Sequence, residues 1–424
     1  MILNNIISTA FLKNEIKFLF LFLIFTCSAY SQDEFPLGSP YTAFGLGDMQ
    51  YLSSTRTDAM GIQGISLMGD YVNNLNPASS ADLKFTDISL SFKYGFLQLS
   101  QSKISDGNVN GINLGIPLSN QRGMTLTIGF NSMIRSSYKI YNQITTPDLT
   151  YGQTYAGNGG ISRVNLGLTY KVLGGIFLGA EYNYAFGNKT KLSFLDFGNQ
   201  LYQNTYIRKE NNLTGSFFKG GLIFDINKIT NSDKAGDFTV GFLYQSKLDL
   251  NSDEDAIYAS SIGNDTVKTS TSNTQVPQAF GFGITKKFGK KFLISSDVLY
   301  QQWSDFIPGN LSKTSYINSA RYGIGVEFAP STKSDKTFWE GLTYRMGAFY
   351  DNDYFTVNDQ KINRYGLSVG CAIPLGTYNS VDLGISYSIR GKTGDGLIQE
   401  KYLKFTAGLN FGELWFVRPK DEDR

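Results

Sequence analysis

From about residue 86 to residue 412 the chain alternates large apolar and small or polar residues with a period of two. In TDISLSFKYGF, Ile88, Leu90, Phe92, Tyr94 and Phe96 share one face, and Ser89, Ser91, Lys93 and Gly95 share the other. The pattern returns as Val164, Leu166, Leu168 and Tyr170 against Asn165, Gly167, Thr169 and Lys171. Successive side chains of a strand point to opposite faces, so each run predicts a strand with one apolar and one polar side. Fourteen runs follow one another: 86–99, 107–118, 122–141, 160–173, 175–195, 203–226, 236–251, 273–288, 291–306, 312–329, 341–357, 359–375, 379–392 and 398–412.

A soluble sandwich also alternates. Here, however, the runs are long enough to cross a bilayer as tilted strands of about 9–11 residues, their number is even, and the apolar face is rich in aromatics. The 32 Phe and 26 Tyr suit a barrel with aromatic girdles better than a packed soluble core. Short connections at 119–123, 174–175, 289–291 and 376–380 alternate with long polar ones at 143–159, 188–202 and 251–275. Short periplasmic turns and long extracellular loops give that rhythm, although 227–236 and 330–340 are longer than the turns usually are. The expected fold is all-β: a fourteen-stranded antiparallel transmembrane β-barrel over residues 85–412, in the outer membrane of a Gram-negative cell.

The N-terminus carries Lys13 and Lys17, the apolar run FLFLFLIF at 18–25, and then TCSAYSQ. This pattern predicts a signal peptide over 1–31, with Ala29 and Ser31 at the −3 and −1 positions. Cys27 offers a lipoprotein alternative, but Thr26 is a poor residue before a lipidated cysteine. Removal of the signal leaves Cys371 alone, so no intramolecular disulfide is expected. Cys371 shares its parity with Leu367, Val369 and Ile373 and should face lipid.

The chain has no histidine, which removes Ser-His-Asp triads, histidine zinc sites and imidazole acid–base chemistry. Neither an enzyme, a metal nor a cofactor is expected. The net charge of +2 comes from scattered residues, so no nucleic-acid surface is indicated. GFGITKKFG is alternating strand rather than a phosphate loop, and Asp253, Glu254 and Asp255 read as a solvated acidic loop.

Residues 32–84 show little alternation, and their apolar side chains need somewhere to be buried. The lumen of so wide a barrel is the place, so 32–84 is expected to form a hatch, with 413–424 a periplasmic tail. In this hatch Asn76-Pro77-Ala78 marks a stiff turn. On the inward parity of the strands lie Lys93, Lys171, Glu181, Asp297, Glu327, Arg345 and Lys404. Such charges either bind a ligand head group or pair with other wall charges or the hatch.

The stretch TDAMGIQGISLMGDYVNNLNPASSADL, with Gly61 and Gly64 leading to Asn76-Pro77-Ala78, resembles the N-terminal hatch of the FadL family of outer-membrane transporters. VPQAFGFGI followed by SSDVLYQQWSDF is similar to that family's Pro-led strand and its Asp…Trp-Ser…Phe strand, at Pro277, Asp297, Trp303, Ser304 and Phe306. RYGIGVEF and YRMGAFY continue the match through Arg321, Gly325, Arg345 and Gly347. SPYTAFGLGD and ELWFVRPK resemble a branch of such barrels found in Bacteroidota.

The resemblance implies passive diffusion of hydrophobic molecules such as fatty acids or aromatic hydrocarbons, with outer-membrane lipid and the small molecule as partners. In the family, extracellular loops capture the ligand and the hatch shifts to release it, in some members sideways through the wall. The resemblance also implies that Asp297 pairs with Arg321 or Arg345. Some relatives transport nothing: a FadL-like barrel serves as a shuttle and anchoring subunit in type IX secretion. The second reading is therefore a subunit of a secretion or assembly machine, with other outer-membrane proteins as partners. The family's apolar capture lid has no counterpart in the polar 251–275 loop; Leu195, Phe197, Leu201 and Tyr202 supply the apolar residues of 188–202. An apolar pocket touching the hatch favours the channel; a hatch-filled lumen without a pocket, together with a large apolar extracellular patch, favours the subunit.

Overall fold

The computed structural model describes residue 35 and residues 37–413, apart from 52–53, 70, 74, 101, 148, 199–201, 232–236, 261–262, 310–314, 332–336 and 377. The expected signal peptide, Leu201 and residues 414–424 of the expected tail lie outside the described residues.

Fourteen antiparallel strands form one barrel. They are β1 Thr86–Gln98, β2 Lys103–Ser119, β3 Met124–Thr145, β4 Thr150–Leu173, β5 Ile176–Asp196 and β6 Thr205–Asp225. Strand β7 comprises Phe238–Gln245 and Leu248–Ser260, and β8 comprises Gly263–Val276 and Ala279–Phe288. The remainder are β9 Phe292–Gln301, β10 Ser319–Phe328, β11 Thr343–Val357, β12 Gln360–Pro374, β13 Ser380–Arg390 and β14 Glu400–Glu413. Both runs of β7 pair with β6 and with β8, so each interrupted strand is one bent strand. Pro277, which has no N–H to give a ladder, lies in the bend of β8. The cylinder closes where β14 meets β1, from Lys401 opposite Gln98 to Glu413 opposite Thr86.

All fourteen alternating runs are strands, but their ends differ from expectation. Residues 143–159, 188–202 and 251–275 are mostly hairpin rather than loop: Tyr138 to Thr145 pair with Gly157 to Thr150, and the β7–β8 ladder continues out to Ser260 opposite Gly263. In these stretches polar and charged residues occupy both faces, including buried inward ones such as Lys189, Ser252 and Glu254, so the apolar alternation fades while the backbone ladder continues. Conversely, the run expected to reach 306 stops at Gln301, and Trp303–Asp305 form a 3-10 turn that buries Trp303 in the lumen and leaves Ser304 and Asp305 exposed. The following strand starts at Ser319 rather than 312.

Parity is as the alternation requires. Leu166 is 52% exposed on the outside, whereas Asn165 between its neighbours is 2% exposed on the inside. Outward rings pack across strands, as in the Phe292–Phe328 stack with centroids 4.5 Å apart. Cys371 is half-buried in the outward row of Leu367 and Val369.

The described residues of 37–85 run inside the barrel. Helix α1, Thr55–Ala59, starts at Ser54, whose hydroxyl accepts from the Thr57 amide, and Met60, Ile62, Ile65 and Leu67 beyond it are at most 1% exposed. The inner wall admits this segment because it is bare where the two meet. A Cβ on Gly241 would collide with the Ile65 carbonyl, on Gly347 with the Met60 carbonyl, and on Gly370 with Ala59. Toward the loop end the lumen is a packed apolar core of Leu46, Ile134, Phe217, Trp303 and Phe355, in which Trp303 stacks on Tyr354 at 4.0 Å.

Candidate functional site

The contact surface between the N-terminal segment and the barrel wall carries most of the residues singled out from sequence. Asn76 is fully buried and caps the 3-10 turn Pro77–Asp82, its side-chain oxygen accepting from the Ala78 amide at 3.0 Å. Pro77 sits at the first position of the turn, where a missing N–H costs nothing. The Asn76 amide group donates to the Ile65 carbonyl at 2.6 Å and to the Phe242 carbonyl of β7 at 3.3 Å. Asn76 therefore joins two parts of the segment and the wall. Asn76 rests on Gly221 and the Pro77–Ala78 backbone on Gly179, a few residues from the turn ends of β6 and β5.

Gly61 and Gly64 have φ of +66° and +78°, a left-handed backbone that glycine adopts without strain. Their turn points three successive amides at one carboxylate. Asp297 Oδ2 accepts from Gln63 at 2.9 Å, Gly64 at 2.6 Å and Ile65 at 3.3 Å. The pairing of Asp297 with Arg321 or Arg345 is therefore not what the structure contains. Asp297 stands opposite Gly283 and Gly323, so nothing on the neighbouring strands intercepts it before the segment. Arg321 lies directly opposite Asp351 and bonds it at 2.9 Å, while Arg345 lies opposite Glu327 and bonds it at 2.8 Å.

Glu327 is the centre of a clamp. Arg56 of α1 donates to it twice, Nε to Oε2 and Nη2 to Oε1, both at 2.7 Å. Arg345 reaches on to Asp382 at 2.8 Å, and Asn410 donates to the same carboxylate at 2.9 Å. The Arg56 guanidinium also lies 4.7 Å above the Tyr71 ring. Lys93 and Lys404 share Asp58 of α1, each at 3.4 Å. Glu181 instead takes Arg163 at 2.9 Å and Lys219 at 3.5 Å, all three on the wall. Lys171 is half-buried at the turn end of β4, outside these networks among the described residues.

Toward the loop end, sequence reasoning missed a second clamp. Asp48 pairs with Arg364 at 2.9 Å and Arg390 at 3.4 Å, and Arg390 bonds Asp353 at 2.7 Å. Burial pushes the Asp48 carboxyl up, but Arg364 and Arg390 outweigh it and hold it below the usual range. Lys189 donates to the Gly45 carbonyl at 2.8 Å. The inward parity of Arg364 and Arg390 was a usable signal; nothing in the irregular 32–84 stretch marked Asp48.

The wall has a seam. The β2–β3 ladder runs only from Gly111 opposite Asn131 down to Ser119 opposite Met124. Above it β2 stays with β1, while a bulge at Met133 turns β3 toward β4. The edge that β3 exposes is taken from within by a two-residue strand, Asp48–Met49, pairing with Arg135 and Ile134. Thr42 adds hydrogen bonds to the Ser137 amide and carbonyl, and the Gln50 amide donates to Met133. Across the seam Arg135 makes a two-point ion pair with Asp106, at 2.7 and 3.1 Å.

Among the cavities that border the segment, two are larger than a few water molecules. One of about 170 Å³ lies behind the seam, among Asp48, Tyr51, Lys93, Arg364, Arg390 and Lys404. The other, about 500 Å³, opens at the turn end around the Glu327 clamp. Charge lines both.

The family model of BamG matches residues 13–421, nearly the whole sequence. The chain belongs to the BamG family. No curated protein matches it. Among solved structures this BamG-family barrel is similar to a FadL homologue of Pseudomonas aeruginosa, at TM-score 0.62 and 14% identity, with 87% of this chain and 99% of that one covered. It is also similar to the toluene transporter TbuX of Ralstonia pickettii, at TM-score 0.58, 15% identity and coverages of 85% and 98%. The toluene transporter TodX of P. putida gives TM-score 0.58, 14% identity and coverages of 88% and 100%. At these identities the likeness establishes that the BamG-family chain has the FadL-type barrel.

Proposed function

We propose that this BamG-family barrel sits in the outer membrane and works as a plugged, non-conducting subunit of an outer-membrane assembly or secretion machine. The observation that carries this reading is the filled lumen. A packed core around Trp303 blocks the loop end, and the Arg56–Glu327 and Asp48–Arg364 clamps fix the segment below it. The spaces bordering the segment are lined by charge, which suits an apolar passenger poorly. Lipid contacts the outward aromatic belt, and the partners are other outer-membrane proteins.

A second reading, uptake of hydrophobic molecules of the fatty-acid or aromatic-hydrocarbon type, is favoured by the seam beside β3 and by the likeness to barrels named as toluene transporters. In it, 32–84 is a hatch that moves, Asn76-Pro77-Ala78 its tip, and the molecule leaves between β2 and β3.

Purification from outer membranes in mild detergent separates the two. The subunit reading expects a heat-modifiable barrel held in a stoichiometric complex, and vesicles containing the purified barrel that take up labelled oleate no faster than empty ones. Recovery as a lone barrel with bound hydrophobic ligand and accelerated uptake would establish the channel instead.

A further inference from the structure

Among the described residues, the turn-end halves of the outward rows hold one basic side chain, Lys286 of β8. Phe282 and Ile284 precede it in its row and Phe288 follows, and its ladder partners are Phe238 and Ile294. A charge on this face of a barrel is costly at the midplane of the bilayer and cheap near its boundary. The Lys286 ammonium lies 5.4 Å from the centre of the Phe288 ring, so the stem leans toward the foot of the strand. Beyond Gly289, in the turn to β9, stand two exposed lysines, Lys290 and Lys291. Among the described residues, Lys286, Lys290 and Lys291 make no ion pair. Of the acids at this foot, Glu340 closes the cap of the helical turn Phe338–Gly341 on Thr337, and Asp237 lines the mouth cavity. Glu413, the acid at the foot of the outward row of β14, stands on the far side of the barrel.

Rings form a shelf at the same level. Phe288, Phe292, Phe328 and Tyr344 are successive ladder partners, one from each of β8 to β11, and all face outward. The helical turn Phe338–Gly341 hangs from this row, since the Tyr344 hydroxyl donates to the Trp339 carbonyl at 3.0 Å. It leaves Phe338 and Trp339 62% and 68% exposed. Aromatic girdles of membrane barrels lie where hydrocarbon gives way to head groups, so the row marks the depth at which lipid phosphate stands. Lys286 reaches down to that depth from above, and Lys290 and Lys291 lie just past it. A zwitterionic lipid would bring an ammonium group of its own to these lysines, whereas an anionic one brings only the charge they lack.

We propose that the outer foot of β8 and β9 binds an anionic phospholipid of the periplasmic leaflet, with its phosphate on Lys286 and Lys290 and its acyl chains across Phe288, Phe292 and Phe328. The site rests on the outer-membrane placement proposed above and on neither reading of what the barrel does there.

The test is native mass spectrometry of the full-length barrel in mild detergent, offered equal amounts of phosphatidylglycerol and phosphatidylcholine with the same acyl chains. The barrel should carry phosphatidylglycerol about ten-fold more often. The K286Q/K290Q variant should bring that ratio close to one while remaining heat-modifiable. K84Q/K171Q removes the same charge from elsewhere at the turn end and should keep the preference. A heat-modifiable wild-type barrel without the preference would overturn the site and leave the membrane placement standing. An equal loss in both variants would also overturn it, because the effect would then be one of net charge. So would carbodiimide links in whole membranes from Lys286 or Lys290 to carboxylates of another protein, which would make this foot a partner's. Recovery from soluble periplasm would remove the placement itself, and the site with it.

Discussion

Arg56 and Glu327 meet through two parallel hydrogen bonds of 2.7 Å, one residue on the helix inside the lumen and the other near the foot of strand β10. The two are 271 positions apart in sequence, yet they fix where the N-terminal segment sits in the barrel. Arg345 completes the arrangement by giving the same carboxylate a second cation.

Replacing Glu327 with Gln should loosen the segment, because it leaves two buried guanidiniums without their shared anion. Removing one member of a buried ion pair typically costs about 3–5 kcal/mol. The barrel should still form, while hydrogen exchange across Thr55–Ala59 rises by orders of magnitude. Unchanged protection of α1 would show that the clamp does not hold it.

Asp297 should behave differently, since its partners are amides rather than cations. D297N keeps the shape but puts an N–H₂ group or a weaker carbonyl acceptor before three buried donors. A loss of about 1–3 kcal/mol is expected, seen as faster exchange at Gln63, Gly64 and Ile65. Arg321→Gln should leave those three amides as protected as before.

Gly221→Ala tests the seat of Asn76-Pro77-Ala78. The added methyl meets the Asn76 side chain and the Ala78 amide, so the turn must shift. Overpacking of this kind costs about 1–3 kcal/mol. Gly220→Ala, one residue away and facing outward into open space, should change the melting temperature little. Equal effects from the two would mean the inner and outer faces of β6 are misassigned.

Acid should free the stretch around Asp48. Its carboxyl is held below the usual range, so its ion pairs contribute fully above about pH 4, the unfolded value, and are lost as pH falls further. A nitroxide at Ser39→Cys, in a Cys371→Ser background, should give a broad spectrum at pH 7 and a narrow one near pH 3. A spectrum that stays broad near pH 3 would rule out Asp48 as the anchor.

The exposed Arg135–Asp106 pair should matter less than its position suggests. Surface pairs contribute about 0–1 kcal/mol, so D106N should leave β3 protected from exchange. Deleting 38–50 should expose the β3 edge at Ile134–Ser137, because the internal strand is what pairs with it.

Much of the barrel could be read from sequence because lipid acts on one face of every strand. Leu166 and Asn165 differ in kind because one faces outward and the other faces the lumen, and that contrast repeats in all fourteen strands. It stops where polar residues appear on both faces, which is why Thr150 to Gly159 passed for loop. The ion pairs were less legible. Parity says that Arg345 and Glu327 point inward, but which acid meets which base depends on ladder register. Asp297 found backbone amides because the strands beside it happen to carry glycine there. Asn76 was conspicuous beside its proline; its bond to Phe242 needed the fold.

The bareness of the inner wall also says something about time. Gly241, Gly347 and Gly370 leave the N-terminal segment touching main chain around much of the circumference, and β14 zips onto β1 along thirteen residue pairs. A filling that fits so closely cannot be threaded into a finished tube. The segment emerges first in synthesis and must already be lying in place when the two outermost strands meet, so the tube is wound around its own contents and the final joint is sealed last.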